Sequence, residues 1–396
     1  MDEEQLYNGI LIRPGEFMVR FGSTIRNMMM NRLRESVERT LRKMKLKFNV
    51  NIVEGVRIII QEKGRNIDWS TLSERMSRIF GVSSTSPVIA VPGNNLSILI
   101  NRIVELIEST RAKTFSIRFV TPFKNIGSLA LTKAIAGHVL EKVASWIDLT
   151  RPEIEIHVEY RDGRFYVTDK ILPGVGGLPY GFEGCLVILT SGGIDSAYAS
   201  WMAMKRGVRI IPVFVDLGPY WSIKARDRFR EYLEILYNEW VPWDTLKSYI
   251  VHGAEQIILK ANTPSRLRCL FCKANMYRLA ALIALKEGCK GIATGEAVGQ
   301  VASQTLRNLY ILSRLTPLPV FRPIGFMDKL EIIDKASRLG FSRLNRKVGN
   351  CMLRPENPET SATDKDLEIL RKALDDTHED AIRLIKENTE TIILRP

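Results

Sequence analysis

Histidine and cysteine are scarce in this chain of 396 residues, with four of the first and five of the second. What they fail to form narrows the chemistry. His138, His157, His252 and His378 show no HExxH spacing, which argues against histidine-based zinc hydrolysis. Five cysteines, an odd number spread through a long chain, do not make a secreted disulfide scaffold. Long apolar runs are also missing: 187–189 and 58–60 fall far short of the ~18 residues that span a bilayer, so no membrane association is expected. The opening Met1-Asp2-Glu3-Glu4-Gln5 is acidic where a secretory leader is basic and then apolar, and a cytoplasmic protein is the expectation. Neither a Walker Gly-Lys-Ser/Thr triplet nor a GxGxxG fingerprint occurs, and there is no internal repeat or low-complexity tract.

Acidic residues are outnumbered, 44 against 57 Lys plus Arg, for a net charge of +13. A field of that sign attracts polyanions, and nucleic acid is the leading partner. The excess is concentrated in the first half. Between positions 26 and 47 eight basic residues, Arg26 and Arg32 among them, face two acidic ones. Between 111 and 133 there are five, Arg111, Lys113, Arg118, Lys124 and Lys133, and no acidic residue.

The length suits two or three domains. Residues 7–65 read as a strand, a helix over about 24–44, and strands at 48–53 and 55–61 turning at Glu54, a small α+β unit. A second unit opens with a capped helix near Asp68. It continues through a strand at 87–91, a helix at 95–109, a strand at 114–120, a helix at 127–146, and a hairpin of 153–160 with 164–168. The Gly/Pro-rich stretch 172–179 reads as a linker, and 1–66, 67–172 and 173–396 are the expected domains. From Cys185 onward strands and helices alternate as in a doubly wound parallel α/β sheet, before a charged helical tail over 364–388.

The sharpest motif joins an apolar strand to a helix: Leu189-Thr190-Ser191-Gly192-Gly193-Ile194-Asp195-Ser196. Two glycines let the backbone turn tightly, and free N–H groups at the helix start then face an anion with the helix dipole behind them. That is a pyrophosphate cradle. In Arg266-Leu267-Arg268-Cys269-Leu270-Phe271-Cys272-Lys273 a CxxC stands at a helix start among cations, both of which favour thiolate. Cys351 lies in a proline-bounded loop that folding can return to the CxxC. Three such cysteines suit an iron–sulfur cluster with one open iron, a persulfide on Cys351 resolved as a disulfide by a CxxC member, or a structural zinc site. Cys185 in an apolar strand and Cys289 at a helix end read as buried packing residues.

Ser-Gly-Gly-x-Asp-Ser at a strand end resembles the PP-loop of ATP pyrophosphatases, where Asp195 would position Mg²⁺ and phosphates and Ser191 and Ser196 would supply hydroxyls. Further motifs follow in order: Gly176-Gly177-Leu178-Pro179, the block from Thr294-Gly295-Glu296 to Gln304-Thr305, Arg322-Pro323-Ile324-Gly325-Phe326-Met327-Asp328-Lys329, and Cys351 with Pro355, Pro358 and Thr360. With them the chain resembles the tRNA 4-thiouridine synthetases, or tRNA sulfurtransferases, over nearly its whole length. The resemblance implies an N-terminal ferredoxin-like domain, a THUMP domain holding the tRNA acceptor end, and a PP-loop domain. ATP would adenylate O4 of the uridine at position eight, and sulfur would then displace AMP. Nucleotide contacts carry over to Leu189, Thr190, Phe214, Val215, Lys273, Gly295 and Gln304, and the essential acidic and basic positions to Asp195 and Lys329. The CxxC looks archaeal, for which an iron–sulfur cluster on Cys269, Cys272 and Cys351 is expected. The sequence ends about where the rhodanese domain of many bacterial members would begin, so delivery from such a domain is not expected. A sulfur donor, a homodimer, and tRNA contacts at Arg26, Arg32, Lys113 and Arg118 complete the expectations. The rival readings are another PP-loop tRNA thiolase, acting for example on cytidine, and a tRNA-binding protein with an inactive ATP site.

Overall fold

Local signals start and stop most elements where the sequence places them. A computed structural model describes residues 6–61, 67–120 and 128–396; Met1 to Gln5, Lys124 and the expected helix start at Gly127 lie outside the described residues. The chain divides into two units, Met1–Pro179 and Tyr180–Pro396.

In the first unit the order is β1 (Gly9–Pro14), α1 (Phe17–Arg20), α2 (Ser23–Lys43), β2 (Asn49–Val53), β3 (Arg57–Gln61), α3 (Trp69–Ser77), β4 (Val82–Pro92), α4 (Leu96–Thr110), β5 (Thr114–Val120), α5 (Ser128–Leu140), β6 (Trp146–Ile147), β7 (Ile154–Arg161), β8 (Arg164–Thr168) and β9 (Leu172–Pro173). Glu54 and Gly55, both at positive φ, reverse the chain in the three-residue loop between the paired Val53 and Arg57, where Val56 N–H donates to Val53 O at 3.0 Å. The Asp68 carboxylate caps α3 by accepting from Thr71 N–H at 2.8 Å. One continuous sheet runs β2-β3-β1-β4-β8-β7-β5-β6, with β9 also on β4.

Three expectations need correcting in this unit. The strand expected at 87–91 is the eleven-residue β4, whose first half pairs β1 and whose second half pairs β8. Its polar start reads as loop, yet Thr85 and Ser86 are fully buried because Thr85 donates to Ser73 O and Ser86 accepts from Arg13. The helix expected to reach Trp146 stops at Leu140, and Trp146 N–H instead bonds Lys113 O at the sheet end. The presumed linker is strapped down: Gly174 and Gly176 donate to Ser83 O and Val82 O. A Cβ on Gly174 would lie 2.3 Å from Val82 O, so only glycine allows the approach.

The second unit comprises β10 (Cys185–Leu189), α6 (Ile194–Lys205), β11 (Arg209–Val215), α7 (Ile223–Ile235), β12 (Leu246–Val251), α8 (Ala254–Lys260), α9 (Arg268–Lys286), β13 (Ile292–Thr294), α10 (Leu306–Ser313), β14 (Val320–Phe321), α11 (Lys329–Ala336), α12 (Asp364–Asp376), α13 (His378–Glu387) and β15 (Thr389–Leu394). The sheet order is β14-β13-β10-β11-β12-β15. All pairs are parallel except β12–β15. Branched and aromatic residues buried on β10, β11 and β12 pack with the apolar face of α9 into one core. The tail is not one helix: it breaks near Thr377 and returns as an antiparallel edge strand. Cys185 and Cys289 are buried as expected but are bonded to each other, joining the start of β10 to the turn that follows α9. Among the described residues no helix is long and apolar enough to cross a membrane.

Candidate active site

The strand β10 delivers Thr190-Ser191-Gly192-Gly193 to the start of α6 at the carboxyl end of the sheet, where open α/β folds bind ligands. Gly192 has φ +69°, and a Cβ there would stand 2.6 Å from the Phe229 backbone. Gly193 caps α6 with no side-chain hydrogen bond, so the first-turn N–H groups are offered to a ligand. Across from it, a Cβ on Gly295 would reach within 2.7 Å of Ser196 N, so this glycine lets the turn after β13 close on the phosphate loop.

Between these loops lies a cavity of about 920 Å³. Leu189, Thr190, Ser191, Gly193, Asp195, Ser196, Phe214, Val215, Lys273, Gly295, Gln304 and Lys329 all line it. Gly192 lies behind the wall and shapes it. Two wall atoms are buried without a hydrogen-bond partner, the acceptor Gln304 Oε1 and the donor Trp221 Nε1. Buried polar atoms left this way are costly unless a ligand satisfies them.

Asp195 and Lys329, 134 positions apart, meet at 2.5 Å. Lys329 opens α11 directly after the capping Asp328. Gln300 donates to the other Asp195 oxygen at 3.0 Å. Arg228 on α7 donates to Ser191 O at 3.1 Å and to Arg346 O at 2.8 Å, clasping the phosphate loop to the segment that leads to Cys351. Burial and neighbouring Arg346 lower the Arg228 pKa, partly offset by Asp195. Glu296 is the electrostatic hub: Oε1 accepts from Lys273 at 2.5 Å, and Oε2 from Tyr277 at 2.5 Å, Thr294 at 3.0 Å and Arg322 at 3.1 Å. Burial pushes its carboxyl up, but Lys273, Tyr277 and Arg322 outweigh burial and hold it below the usual carboxylate range.

Cys269 and Cys272 sit on the first turns of α9 and Cys351 on the loop after Asn350; all three are free thiols and partly accessible. They lie close enough to perturb one another. The expectation that cations and the helix start favour thiolate is reversed. Burial, then Cys351, raises Cys269 despite Arg354, Lys273 and Arg268. Burial with both other thiols pushes Cys272 up to about 12. Desolvation of the charged form exceeds the attraction of partly hydrated cations. As donors the three thiols form a soft set of the kind iron–sulfur clusters use. No group of three or more His, Cys, Asp and Glu among the described residues is drawn together tightly enough for a single metal ion.

The basic residues singled out for RNA do not form one patch. Arg26 and Arg32 lie on α2, which packs on β2 at one end of the nine-stranded sheet, whereas Lys113 and Arg118 lie at β5 near the other end. Arg32 pairs with Glu35 at 2.7 Å and Arg118 with Glu155. Arg228 and Glu296 on the cavity wall and Gln300 on the Asp195 carboxylate are residues that sequence reasoning missed. The last two lie inside the 294–305 block that carried the resemblance, while Arg228 is one cation in an ordinary charged helix with no signal to mark it.

Comparison with known proteins agrees with this arrangement. A model of the thiamine biosynthesis protein (ThiI) family matches residues 181–375, a THUMP domain model 98–169, and a ThiI ferredoxin-like domain model 9–86. A probable tRNA sulfurtransferase of Saccharolobus solfataricus is 35% identical over 327 residues, covering 81% of this chain and 85% of that protein. One of Aeropyrum pernix is 34% identical over 361 residues, covering 90% and 89%. The crystal structure of a 4-thiouridine synthetase–RNA complex with bound ATP superimposes with a TM-score of 0.86 at 26% identity, covering 98% of this chain and 100% of the other. A glycine-shaped phosphate loop, an Asp–Lys pair on its cavity and matches along nearly the whole chain have one reading: the protein belongs to the tRNA sulfurtransferase family.

Proposed function

We propose that the protein thiolates tRNA at the expense of ATP, adenylating O4 of the uridine at position eight and exchanging that oxygen for sulfur to give 4-thiouridine. The observation that carries this reading is the pairing of Asp195 and Lys329 on the cavity lined by Ser191, Gly193, Ile194, Asp195 and Ser196 of the phosphate loop. ATP phosphates rest on the N–H groups at the start of α6, while Leu189, Phe214, Val215, Gly295 and Gln304 hold the nucleoside. The unpaired Gln304 Oε1 and Trp221 Nε1 suit the donors and acceptors of a purine. Lys273 and Lys329 face the negative charge that builds as O4 attacks the α-phosphorus and the bond to pyrophosphate breaks. A sulfur nucleophile then adds at C4, and AMP leaves with the original oxygen.

Asp195, whose oxygens accept one hydrogen bond each and stay more exposed than those of Glu296 with its four donors, is the wall carboxylate that would hold Mg²⁺, a hard cation bound through oxygen. Mg²⁺ held there would supply charge neutralisation at the phosphates. Cys269, Cys272 and Cys351 would hold an iron–sulfur cluster, which would supply Lewis-acidic iron to bind sulfide; the metal-free alternative is persulfide and disulfide chemistry on the same thiols. Residues 1–66 and 67–172 form the tRNA-holding part and 173–396 the catalytic part of a cytoplasmic homodimer that takes sulfur from sulfide or a donor protein.

Anaerobic thiolation of an unmodified tRNA transcript with ATP, Mg²⁺ and sulfide, by iron-reconstituted and metal-free protein in parallel, tests this, with the nucleoside identified by mass spectrometry. 4-Thiouridine from the iron-loaded protein alone supports the cluster, equal yield from both means that sulfide attacks C4 without it, thiolation by metal-free protein only when a persulfidated donor protein replaces sulfide supports the persulfide route, and 2-thiocytidine would replace the substrate assignment. Asp195→Ala should abolish AMP formation with tRNA affinity nearly intact. Cys351→Ser should keep AMP formation and lose thiolation.

A further inference from the structure

The two donors that grip Asp195 come from two loops, and both loops expose apolar side chains beside the donor. Gln300 belongs to the loop after β13, with Val298 and Val301 next to it; Lys329 opens α11, with Phe326 and Leu330 next to it. Val298 N–H donates to Gly325 O at 2.9 Å and ties the loops together. Gln300 and Lys329 thus reach opposite oxygens of Asp195 from one joined scaffold. Phe326 is 94% exposed and Leu330 78%, with Val298 and Val301 also exposed. One exposed apolar residue is ordinary; four on two bonded loops around a cavity residue mark an interaction site.

From this juxtaposition we propose that the joined loops are the platform for the target nucleobase, with the Phe326 ring as the surface against which the unstacked base lies. The proposal rests on the tRNA-thiolation reading. O4 must come to an α-phosphorus held at the phosphate loop, and a base stacked inside folded RNA does not reach it. The base has to leave its stack, and enzymes that extrude a base receive it between aromatic or apolar side chains. Lys329 lines the cavity yet keeps 43% of its side chain exposed, so it marks the open edge. Three residues earlier, Phe326 sits in a turn closed by Gly325 N–H to Arg322 O at 3.0 Å and Met327 N–H to Ile324 O at 3.1 Å. Its backbone is held while its ring is open to solvent. A protein partner also buries apolar surface, but gains nothing from placing it on the loops that hold the catalytic carboxylate. A base gains its registration from that placement.

The test compares full-length wild type, Phe326→Ala and Phe326→Trp on a tRNA transcript, and on one carrying 2-aminopurine beside the target uridine to report unstacking. Stacking on an aromatic side chain is worth about 5- to 150-fold per base. Phe326→Ala should therefore lower kcat/KM for tRNA by about tenfold or more, abolish the 2-aminopurine rise, and leave KM for ATP within about twofold. Affinity for tRNA should change little because phosphate contacts dominate it. Phe326→Trp should restore both signals. A Phe326→Ala protein that thiolates and unstacks like wild type overturns the proposal. So does a defect that tryptophan does not rescue and that tracks loss of dimer in sedimentation, which would assign the face to a protein contact. Wild-type protein that makes no 4-thiouridine but shows a fluorescence rise lost in Phe326→Ala would refute the reaction and keep the platform; no rise in wild type refutes both.

Discussion

Replacing Glu296 by glutamine removes one negative charge from the centre of four donors and leaves every atom nearly in place. The glutamine carbonyl belongs on the Oε2 side, where three donors converge, so its amide NH₂ is forced against the Lys273 ammonium. Removing one partner from a buried ion pair costs about 3–5 kcal/mol. Lys273 and Arg322 retain 21% and 17% side-chain exposure, so water takes part of the load and the lower end, about 3 kcal/mol, applies. In a unit of this size that lowers Tm by roughly 6–12 °C. Thermal unfolding followed by circular dichroism at pH 7 measures it. The pH dependence has a defined sign. Because the folded-state pKa of Glu296 is depressed, its contribution is complete above the unfolded-state value and is lost as pH falls through the folded-state value. The gap between wild type and Glu296→Gln should therefore be full at neutral pH and close in the acid range below about pH 4.3. A Tm change under about 1 °C, or a gap that stays constant on acidification, refutes the assignment of Glu296 as the hub. Since Lys273 lines the cavity beside the phosphate loop, KM for ATP should rise in the same variant.

Three further outcomes are expected. Alkylation of unfolded protein should label three cysteines without reductant and five with it, and reduction should destabilise the second unit by about 3–5 kcal/mol, because the Cys185–Cys289 bond closes a loop of 104 positions. Gly192→Ala meets both a left-handed φ and the Phe229 backbone, so it should cost about 2 kcal/mol or more and weaken ATP binding in calorimetry. Reversing Arg26 and Lys113 should flatten the salt dependence of tRNA binding by about 0.7–0.9 per lost phosphate contact. Reversing Arg32 and Arg118, already paired with Glu35 and Glu155, should flatten it less, and equal slopes in all variants would mean these are only solvated faces.

Elements with local causes were legible in the sequence. The β2–β3 and β7–β8 turns declare themselves through Glu54-Gly55 and Asp162-Gly163, all at positive φ. The caps at Asp68 and Asn95 set helix starts through bonds to the third residue on. The phosphate loop was legible because its glycines and the helix start that follows them are adjacent in the chain. Other features depend on who meets whom. The polar start of β4 is a strand because Arg13 and Ser73 O satisfy its buried hydroxyls. The tail ends as β15 because β12 offers an unpaired edge.

By itself, then, the sequence determined the alternation of elements and the phosphate loop, and it marked the positions of Asp195, Lys329 and the Cys269–Cys272 pair, since each is written in contiguous residues. Only the tertiary structure decided that Cys185 and Cys289 bond rather than merely pack, that burial outweighs neighbouring cations at Cys269 and Cys272, and that the expected RNA-facing cations lie at opposite ends of one sheet. It also drew Glu296 into four hydrogen bonds and left the Phe326 ring, three residues before Lys329, open to solvent. Pairing, desolvation and exposure are properties of distance in space, and residue spacing along the chain does not contain them until the sheet order is known.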